Sequence, residues 1–311
     1  MSAPSSSDLR GIFFGDIFYT NAYVETRYIG SLHMLLCGSI YFNFYMINNT
    51  EKNRLPIIAL LPAGGRATRI SPLPLSKELY PIGLDIWGNE SNLRPKVVSH
   101  YLLEKMQLVG IEKAYFILRP GKWDIPAYFG DGTMLSMSLG YLIMGLPYGV
   151  PFTLDQAYPF VRDAIIALGF PDILFQPEDA FGRILARLDS SNADVVLGLF
   201  PCDHPEKAGM VDFDATGRVH TIIEKVKECN LRYMWGMAVW TPAFTEFLHE
   251  KIEYFKAKDN LSELPELKLS DVFQDGIDNG LHVEAEILPD ASYIDIGTPE
   301  DLVHAVQKFF I

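Results

Sequence analysis

Residues 55–69, LPIIALLPAGGRATR, contain the strongest indication of the fold. Leu55–Leu61 is a short apolar run, and a loop with two adjacent glycines follows it almost at once. An apolar run that leads directly into a glycine-rich loop is typical of a buried parallel strand. Glycines in such a loop let backbone N–H groups approach a phosphate closely. The stretch therefore predicts a buried strand that carries a phosphate-binding loop at its carboxyl end.

The remainder of the chain alternates apolar runs with segments of helical periodicity. Further strands are predicted at 113–118, 165–170, 193–200, 233–240, 282–288 and 293–298, and a hairpin at 209–213 and 219–224. Helices are predicted at 97–109, 153–164 (with Thr153 as its cap), 181–188, 243–255 and 299–310 (with Thr298 as its cap). This alternation predicts an α/β fold with a Rossmann-like, mainly parallel sheet flanked by helices. Residues 55–311 are predicted to form one domain, with residues 1–54 as an N-terminal extension outside the core.

Composition excludes several classes of protein. The 39 acidic residues outnumber the 26 basic ones, and the net charge of −13 repels nucleic acid. The three cysteines (Cys37, Cys202 and Cys229) are too few and too scattered for a disulfide framework or a four-cysteine zinc site, so a reducing, cytoplasmic location is expected. The uncharged segment 30–47 approaches the length of a spanning helix, but its polar residues and glycines disfavour a membrane segment.

Cations gather in and after the glycine-rich loop. Arg66, Arg69 and Lys77 bring positive charge to an acidic protein, which favours a phosphate ligand. An ordinary strand-to-helix turn with solvated cations is the alternative. The loop has neither the Walker A spacing nor the dinucleotide fingerprint G-x-G-x-x-G, and this disfavours a dinucleotide-dependent oxidoreductase.

Two aspartates stand at the ends of apolar runs. Asp172 and Asp295 are therefore expected at the carboxyl edge of the sheet, where α/β proteins bind ligands. Two carboxylates that converge there could hold Mg²⁺ together with substrate phosphates. The alternative is that either aspartate only caps the turn that follows it. Lys225 beside Glu224 has a similar alternative, an exposed ion pair of little energetic value.

Residues 63–82, AGGRATRISPLPLSKELYPI, resemble the signature of the sugar-nucleotide pyrophosphorylases, of which glucose-1-phosphate thymidylyltransferase is an example. Weaker matches follow in the family's order at 129–132, 149, 170–175, 208–214, 223–225, 266–271 and 293–298. The resemblance implies a fold of the nucleotide-diphospho-sugar transferase type. It also implies an Mg²⁺-dependent reaction of a nucleoside triphosphate with a sugar 1-phosphate, which gives an NDP-sugar and pyrophosphate.

The resemblance further implies roles for individual residues. Those that bind the nucleotide would be Ala63, Gly64, Gly65, Arg66 and Gly149. Those that bind the sugar would be Gly209, Glu224 and Gly236. The catalytic cations would be Arg69 and Lys77 on the triphosphate and Lys225 on the sugar phosphate, and Asp172 and Asp295 would bind Mg²⁺.

The chain also departs from the family pattern. Ala67 replaces a loop glycine, and the stretch from Arg69 to Lys77 is two residues shorter than usual. Met144 stands where the thymidylyl and uridylyl enzymes have a base-reading glutamine, and Trp235 stands where small residues line the sugar site. Ala67, the shortened loop and Met144 favour the competing hypothesis of a non-catalytic nucleotide or sugar-phosphate binder, which the retained Asp172, Asp295, Lys77 and Lys225 oppose. The base, the sugar and a homo-oligomeric state stay open.

Overall fold

Strand β1 (Ile57–Ala63) lies at the centre of the computed structural model, which describes residues 55–86, 93–146, 148–227, 229–258 and 265–310. Leu61 packs into the core on one face of the sheet and Leu60 into the core on the other. β1 pairs in parallel with β4 (Lys113–Leu118) and with β6 (Ile165–Leu168). The prediction of a buried parallel strand in this stretch is therefore confirmed.

In the part of the chain that the structure describes, nine strands form the central sheet. The remaining six are β5 (Ser138–Ile143), β8 (Val195–Pro201), β9 (Gly209–Phe213), β10 (Val219–Glu224), β11 (Tyr233–Trp240) and β12 (Val283–Ile287). The order is β10-β9-β11-β6-β1-β4-β5, and β8 pairs with both β11 and β12. The parallel and antiparallel pairings give one common direction to all of these strands except β10 and β11. The predicted mainly parallel sheet is therefore confirmed.

Two small antiparallel sheets extend the fold beside the central one. β2 (Pro81–Ile86) pairs with β3 (Leu93–Val97), and β7 (Ile173–Gln176) pairs with β13 (Ser292–Asp295). The sequence did not predict four of the observed strands, namely β2, β3, β5 and β7. The β7–β13 pair is the most consequential of these, because it brings the end of the domain next to the turn that follows β6.

Helices cover both faces of the sheet. Their bounds are α1 (Val98–Leu108), α2 (Asp124–Phe129), α3 (Val150–Asp155), α4 (Tyr158–Val161), α5 (Ala180–Ser190), α6 (Pro242–Lys256), α7 (Leu269–Asp278) and α8 (Pro299–Phe310). Helices α1 and α5 pack into the core on the Leu61 face, whereas α3, α6 and α7 pack on the Leu60 face. The α/β, Rossmann-like architecture is as predicted.

One predicted helix is wrong in its details. The segment 153–164 forms two short helices, and the first of them begins after Gly149 rather than at Thr153. Pro151 explains the earlier start, because proline favours the first turn of a helix. The hydroxyl of Thr153 donates back to the carbonyl oxygen of Gly149 at 3.2 Å, inside the helix. By contrast, the predicted cap of α8 is confirmed, since the N–H of Asp301 donates to Oγ1 of Thr298 at 3.2 Å.

The described ranges contain no helix that is long and apolar enough to span a membrane. Residues 1–54, including segment 30–47 and Cys37, lie outside the described residues, so the predicted extension is not tested. Cys202 and Cys229 are free thiols.

Candidate active site

The loop after β1 contains two glycines with different surroundings. A side chain at Gly64 would overlap the sulfur of Met144, so this glycine allows Met144 to pack against the loop backbone. A Cβ at Gly65 would meet no described atom within 4 Å, and the backbone there is open. Ala63, the last residue of β1, is buried in the core. The exposed Arg66 follows the two glycines.

Ala67 keeps the backbone conformation that glycine favours. Its φ of +52° lies in the left-handed region, which costs an L-residue about 1–2 kcal/mol. Its carbonyl oxygen accepts hydrogen bonds from the N–H groups of Ile70 and Ser71 at 3.2 and 3.0 Å. The loop therefore has the shape expected where the family carries glycine, although the residue has changed.

We expect Ala67→Gly to leave activity unchanged or to raise it. Glycine removes the left-handed penalty and the methyl group, while its greater freedom in the unfolded chain offsets about 0.4–1 kcal/mol of the gain in stability. Ala67→Val is the matched contrast, because a β-branched residue is disfavoured at positive φ. Turnover and urea denaturation of both variants provide the measurement. A large loss of activity in Ala67→Gly would contradict the loop's alignment with the family.

The two predicted metal-binding aspartates lie at adjoining strand ends. Asp172 is in the turn before β7, and Asp295 is the last residue of β13, opposite Ile173 in the strand register. The ammonium of Lys77 forms a hydrogen-bonded ion pair with Oδ2 of Asp172. The guanidinium of Arg69 lies 3.8 Å from Oδ2 of Asp295. The structure therefore brings these four predicted residues into one group.

The charges in this group are only partly compensated. Burial raises the pKa of Asp295, and the nearby Asp172 carboxylate raises it further. Oδ1 of Asp295 is buried and has no hydrogen-bond partner among the described residues. For Lys77, burial lowers the pKa, but Asp172, Asp295 and Glu78 together outweigh burial, so the pKa is raised and the ammonium stays charged.

This arrangement fits a divalent cation. An orphaned carboxylate oxygen beside a second carboxylate offers the hard oxygen ligands that Mg²⁺ prefers. Gly297 also leaves room at this point, since a Cβ there would lie 2.8 Å from the Arg69 guanidinium and 2.9 Å from Oδ1 of Asp295. Asp172 and Asp295 therefore offer oxygen ligands that could hold such a cation.

A second group of potential metal ligands lies between α3 and α6. One ligand atom from each of Asp155, His249 and Glu253 lies within 4.8 Å of the other two. The ammonium of Lys256 already donates to Asp155 at 2.9 Å and to Glu253 at 2.8 Å, so this group has its own cation. This group was not predicted, although the i, i+4 spacing of His249 and Glu253 places both side chains on one face of a helix.

The predicted nucleotide-binding Gly149 is fixed by a neighbouring segment. Its φ is +110°, and any side chain there would collide with the carbonyl of Leu267. The N–H of Leu267 donates to the carbonyl oxygen of Tyr148 at 3.2 Å. The segment before α7 thus lies against the start of α3, while Met144 links Thr153 of that helix to Gly64.

The predicted sugar-binding residues are partly brought together. Glu224 is opposite Gly209 in the β9–β10 register, and the exposed Lys225 follows directly with φ +53°. The N–H of Lys225 donates to the carbonyl oxygen of Ala208 at 2.9 Å. Gly236 differs, because a Cβ there would lie 2.5–2.8 Å from the rings of Tyr293 and Phe200, so packing alone accounts for the glycine.

Comparison with known proteins extends these observations. The sequence model of the family described as Nucleotidyl transferase matches residues 58–310. The chain is 24% identical, over 80% of its length, to the low-salt glycan biosynthesis nucleotidyltransferase Agl11 of Haloferax volcanii. It spans 64% of that relative, less than two thirds of its length. It is 26% identical to glucose-1-phosphate thymidylyltransferase of Xanthomonas campestris pv. campestris, with 80% of this chain and 79% of the relative covered.

Solved structures agree in fold. UDP-glucose pyrophosphorylase from Acinetobacter baumannii superposes with a TM-score of 0.65 at 18% identity, over 82% of this chain and 93% of that one. The inositol-1-phosphate CTP transferase of T. maritima gives a TM-score of 0.60 at 18% identity, over 82% and 97% of the two chains. At this identity the likeness establishes the fold alone.

Proposed function

Because the chain belongs to the nucleotidyl transferase family, we propose that it joins a nucleoside triphosphate to a sugar 1-phosphate and releases pyrophosphate. The observation that supports this most is the group formed by Arg69, Lys77, Asp172 and Asp295 at adjoining strand ends. Paired cations and carboxylates beside an open glycine loop suit a polyphosphate ligand with its metal.

The proposed reaction is an in-line displacement at the α-phosphorus. An oxygen of the sugar phosphate forms a bond to that phosphorus, and the bond to the bridging oxygen of the β-phosphate breaks. The electron pair leaves with pyrophosphate, and no proton needs to be removed from the nucleophile, because the sugar phosphate is already an anion. Catalysis is then positioning and charge stabilisation rather than general-base chemistry.

The residues of the chain have distinct roles in this scheme. The backbone at Gly64 and Gly65 binds phosphate oxygens, and Arg69 neutralises the triphosphate and the departing pyrophosphate. Lys77 shares this task, and in this structure its ammonium is hydrogen-bonded to Asp172. Asp172 and Asp295 would hold Mg²⁺, which when bound supplies further charge neutralisation on the phosphate oxygens. Lys225 fixes the sugar phosphate, and Glu224 accepts hydrogen bonds from sugar hydroxyls.

The experiment is a panel of the four ribonucleoside triphosphates and dTTP, each with several sugar 1-phosphates and Mg²⁺, with pyrophosphate release as the readout. Turnover of one pair well above the others supports the proposal. Met144 is 7% exposed, and its thioether stands where the thymidylyl and uridylyl enzymes have a base-reading amide. A preference for pyrimidines therefore does not carry over to this chain, and the panel must include purine nucleotides. If the protein binds these ligands but no pair of triphosphate and sugar 1-phosphate releases pyrophosphate, the result would favour the non-catalytic binder.

The cations are expected to have separable kinetic signatures. We expect Arg69→Ala and Lys77→Ala to raise the KM for the triphosphate, and Lys225→Ala to raise mainly the KM for the sugar 1-phosphate. The exposed Lys113, which is on β4 and outside the proposed site, provides the control Lys113→Ala. Initial rates with each substrate varied in turn provide the measurement. Equal effects of all three site variants on both constants would contradict this assignment.

A further inference from the structure

Trp235 lies beside Gly209 and Glu224, where the proposed function places the sugar. Its Nε1 donates a hydrogen bond to Oγ of Ser270 at 2.8 Å, and the hydroxyl of Ser270 in turn donates to Oε1 of Glu224. A serine hydroxyl can accept one hydrogen bond while it donates another, so the two bonds form a continuous chain from the indole to the carboxylate. Ser270 is 1% exposed, and this burial protects the two hydrogen bonds from competition by water.

The indole is held in place by aromatic neighbours on other elements. The ring of Phe273, on α7, packs edge-to-face against it at 5.3 Å between centroids and an interplanar angle of 88°. The ring of Phe170 lies 6.0 Å away and is two residues before Asp172. Trp235 therefore contacts both the helix that carries Ser270 and the turn that carries the proposed metal ligand.

Gly209 makes this arrangement sterically feasible. A Cβ at Gly209 would lie 2.5 Å from Nε1 of Trp235 and 2.9 Å from Oε1 of Glu224. The indole nitrogen and the carboxylate thus converge over the same α-carbon, and a side chain there would push them apart. The glycine has a specific reason in this protein, which is the close approach of Trp235 and Glu224.

We infer that Trp235 is a positioning residue that fixes Glu224, through Ser270, in the orientation that binds the hydroxyl groups of the sugar 1-phosphate. This inference rests on the proposed function. Among the described residues none donates to Oε2 of Glu224, so this oxygen remains to accept a hydrogen bond from the sugar. A carboxylate that is already oriented loses less conformational entropy when the sugar binds, and this favours affinity for a hydroxylated sugar over affinity for the nucleotide.

The test separates the hydrogen-bond chain from packing. Trp235→Phe keeps an aromatic ring but removes the N–H donor, Ser270→Ala breaks both bonds, and Ser270→Thr keeps the hydroxyl. We expect the first two to raise the KM for the sugar 1-phosphate about tenfold with the KM for the triphosphate unchanged. Ser270→Thr should keep the wild-type KM for the sugar 1-phosphate, because the hydroxyl is retained.

A matched control lies on the same strand. Nε1 of Trp240 donates to Oγ1 of Thr245 at 2.9 Å, in a buried position that the proposed mechanism does not use. Trp240→Phe therefore removes an equivalent hydrogen bond and should leave both KM values unchanged. Equal rises in both constants in Trp235→Phe, or the same sugar effect in Trp240→Phe, would overturn the inference.

A binding measurement distinguishes failure of this inference from failure of the proposed function. Titration calorimetry of the sugar 1-phosphates of the panel needs no turnover, and we expect about tenfold weaker binding to Trp235→Phe than to the wild type. A wild type that binds but releases no pyrophosphate rejects the proposed reaction, and the weaker binding then still supports the positioning role. Unchanged affinity in Trp235→Phe overturns the positioning role alone. A wild type that binds none of the panel overturns both.

Discussion

Asp172→Asn and Asp295→Asn are each expected to lower turnover about a thousandfold while the protein stays folded. The side chains keep their size, but each loses the charge that attracts Mg²⁺, and metal stabilisation of transition-state charge is worth several kcal/mol. Pyrophosphate release at saturating substrates gives the rate, and thermal melting checks the fold. Asp163→Asn is the control, because that aspartate is an exposed residue outside the proposed site.

The Asp172 variant needs one further comparison, because the same carboxylate also holds Lys77. If Asp172 acts through the metal, Asp172→Asn should raise the Mg²⁺ concentration needed for half-maximal activity. If it acts by orienting Lys77, the variant should instead resemble Lys77→Ala, with a higher KM for the triphosphate at any Mg²⁺ concentration. Near wild-type turnover by either asparagine variant at saturating Mg²⁺ would show that the replaced aspartate is not a ligand.

The central part of the fold was predictable from local patterns. Leu55–Leu61 is apolar throughout, which is what a strand buried on both faces requires, and the glycines that follow mark its end. β2 and β3 were not predictable in the same way, because they are short and their Pro81 and Pro95 argue against strand structure. β7 is only Ile173–Gln176, and it becomes a strand by pairing with β13 far along the chain.

The site was predictable as a set of residues but not as a set of contacts. Lys77 and Asp172 are 95 positions apart, and their ion pair depends on how the turn after β6 packs. The two hydrogen bonds that connect Trp235 to Glu224 pass through Ser270 on α7. A serine in a sequence does not indicate which residue it will bond to. The left-handed backbone at Ala67 was likewise hidden, since alanine carries no signal for positive φ.

A buried ion pair lies next to the turn that presents Lys77. Nζ of Lys122 donates to Oε1 of Glu78 at 2.6 Å, and the two side chains are 6% and 2% exposed. Burial raises the pKa of Glu78, although Lys122 opposes the rise, and Oε2 has no hydrogen-bond partner among the described residues. Lys122 therefore opposes the loss of charge that burial favours at this carboxylate.

Lys122→Met is accordingly expected to destabilise the protein by about 3–5 kcal/mol, because it leaves an uncompensated charge buried. The free energy of unfolding of a whole domain is about 5–15 kcal/mol in most cases, so this loss would be a large part of it. Urea denaturation at neutral pH measures the loss. Lys105→Met is the matched control: Lys105 is equally buried, but its partner Glu178 is 36% exposed and can be solvated by water, so the cost should be much smaller.

The pH dependence and a double variant complete the test. Without Lys122 the pKa of Glu78 rises further in the folded state, so the folded variant holds a proton where the unfolded chain, with a glutamate pKa of about 4.3, has released it. The stability of Lys122→Met should therefore fall as the pH rises from weakly acidic to alkaline. Adding Glu78→Gln removes the charge and should recover most of the loss. If the single variant is as stable as the wild type at neutral pH, the buried pair does not stabilise the fold as expected.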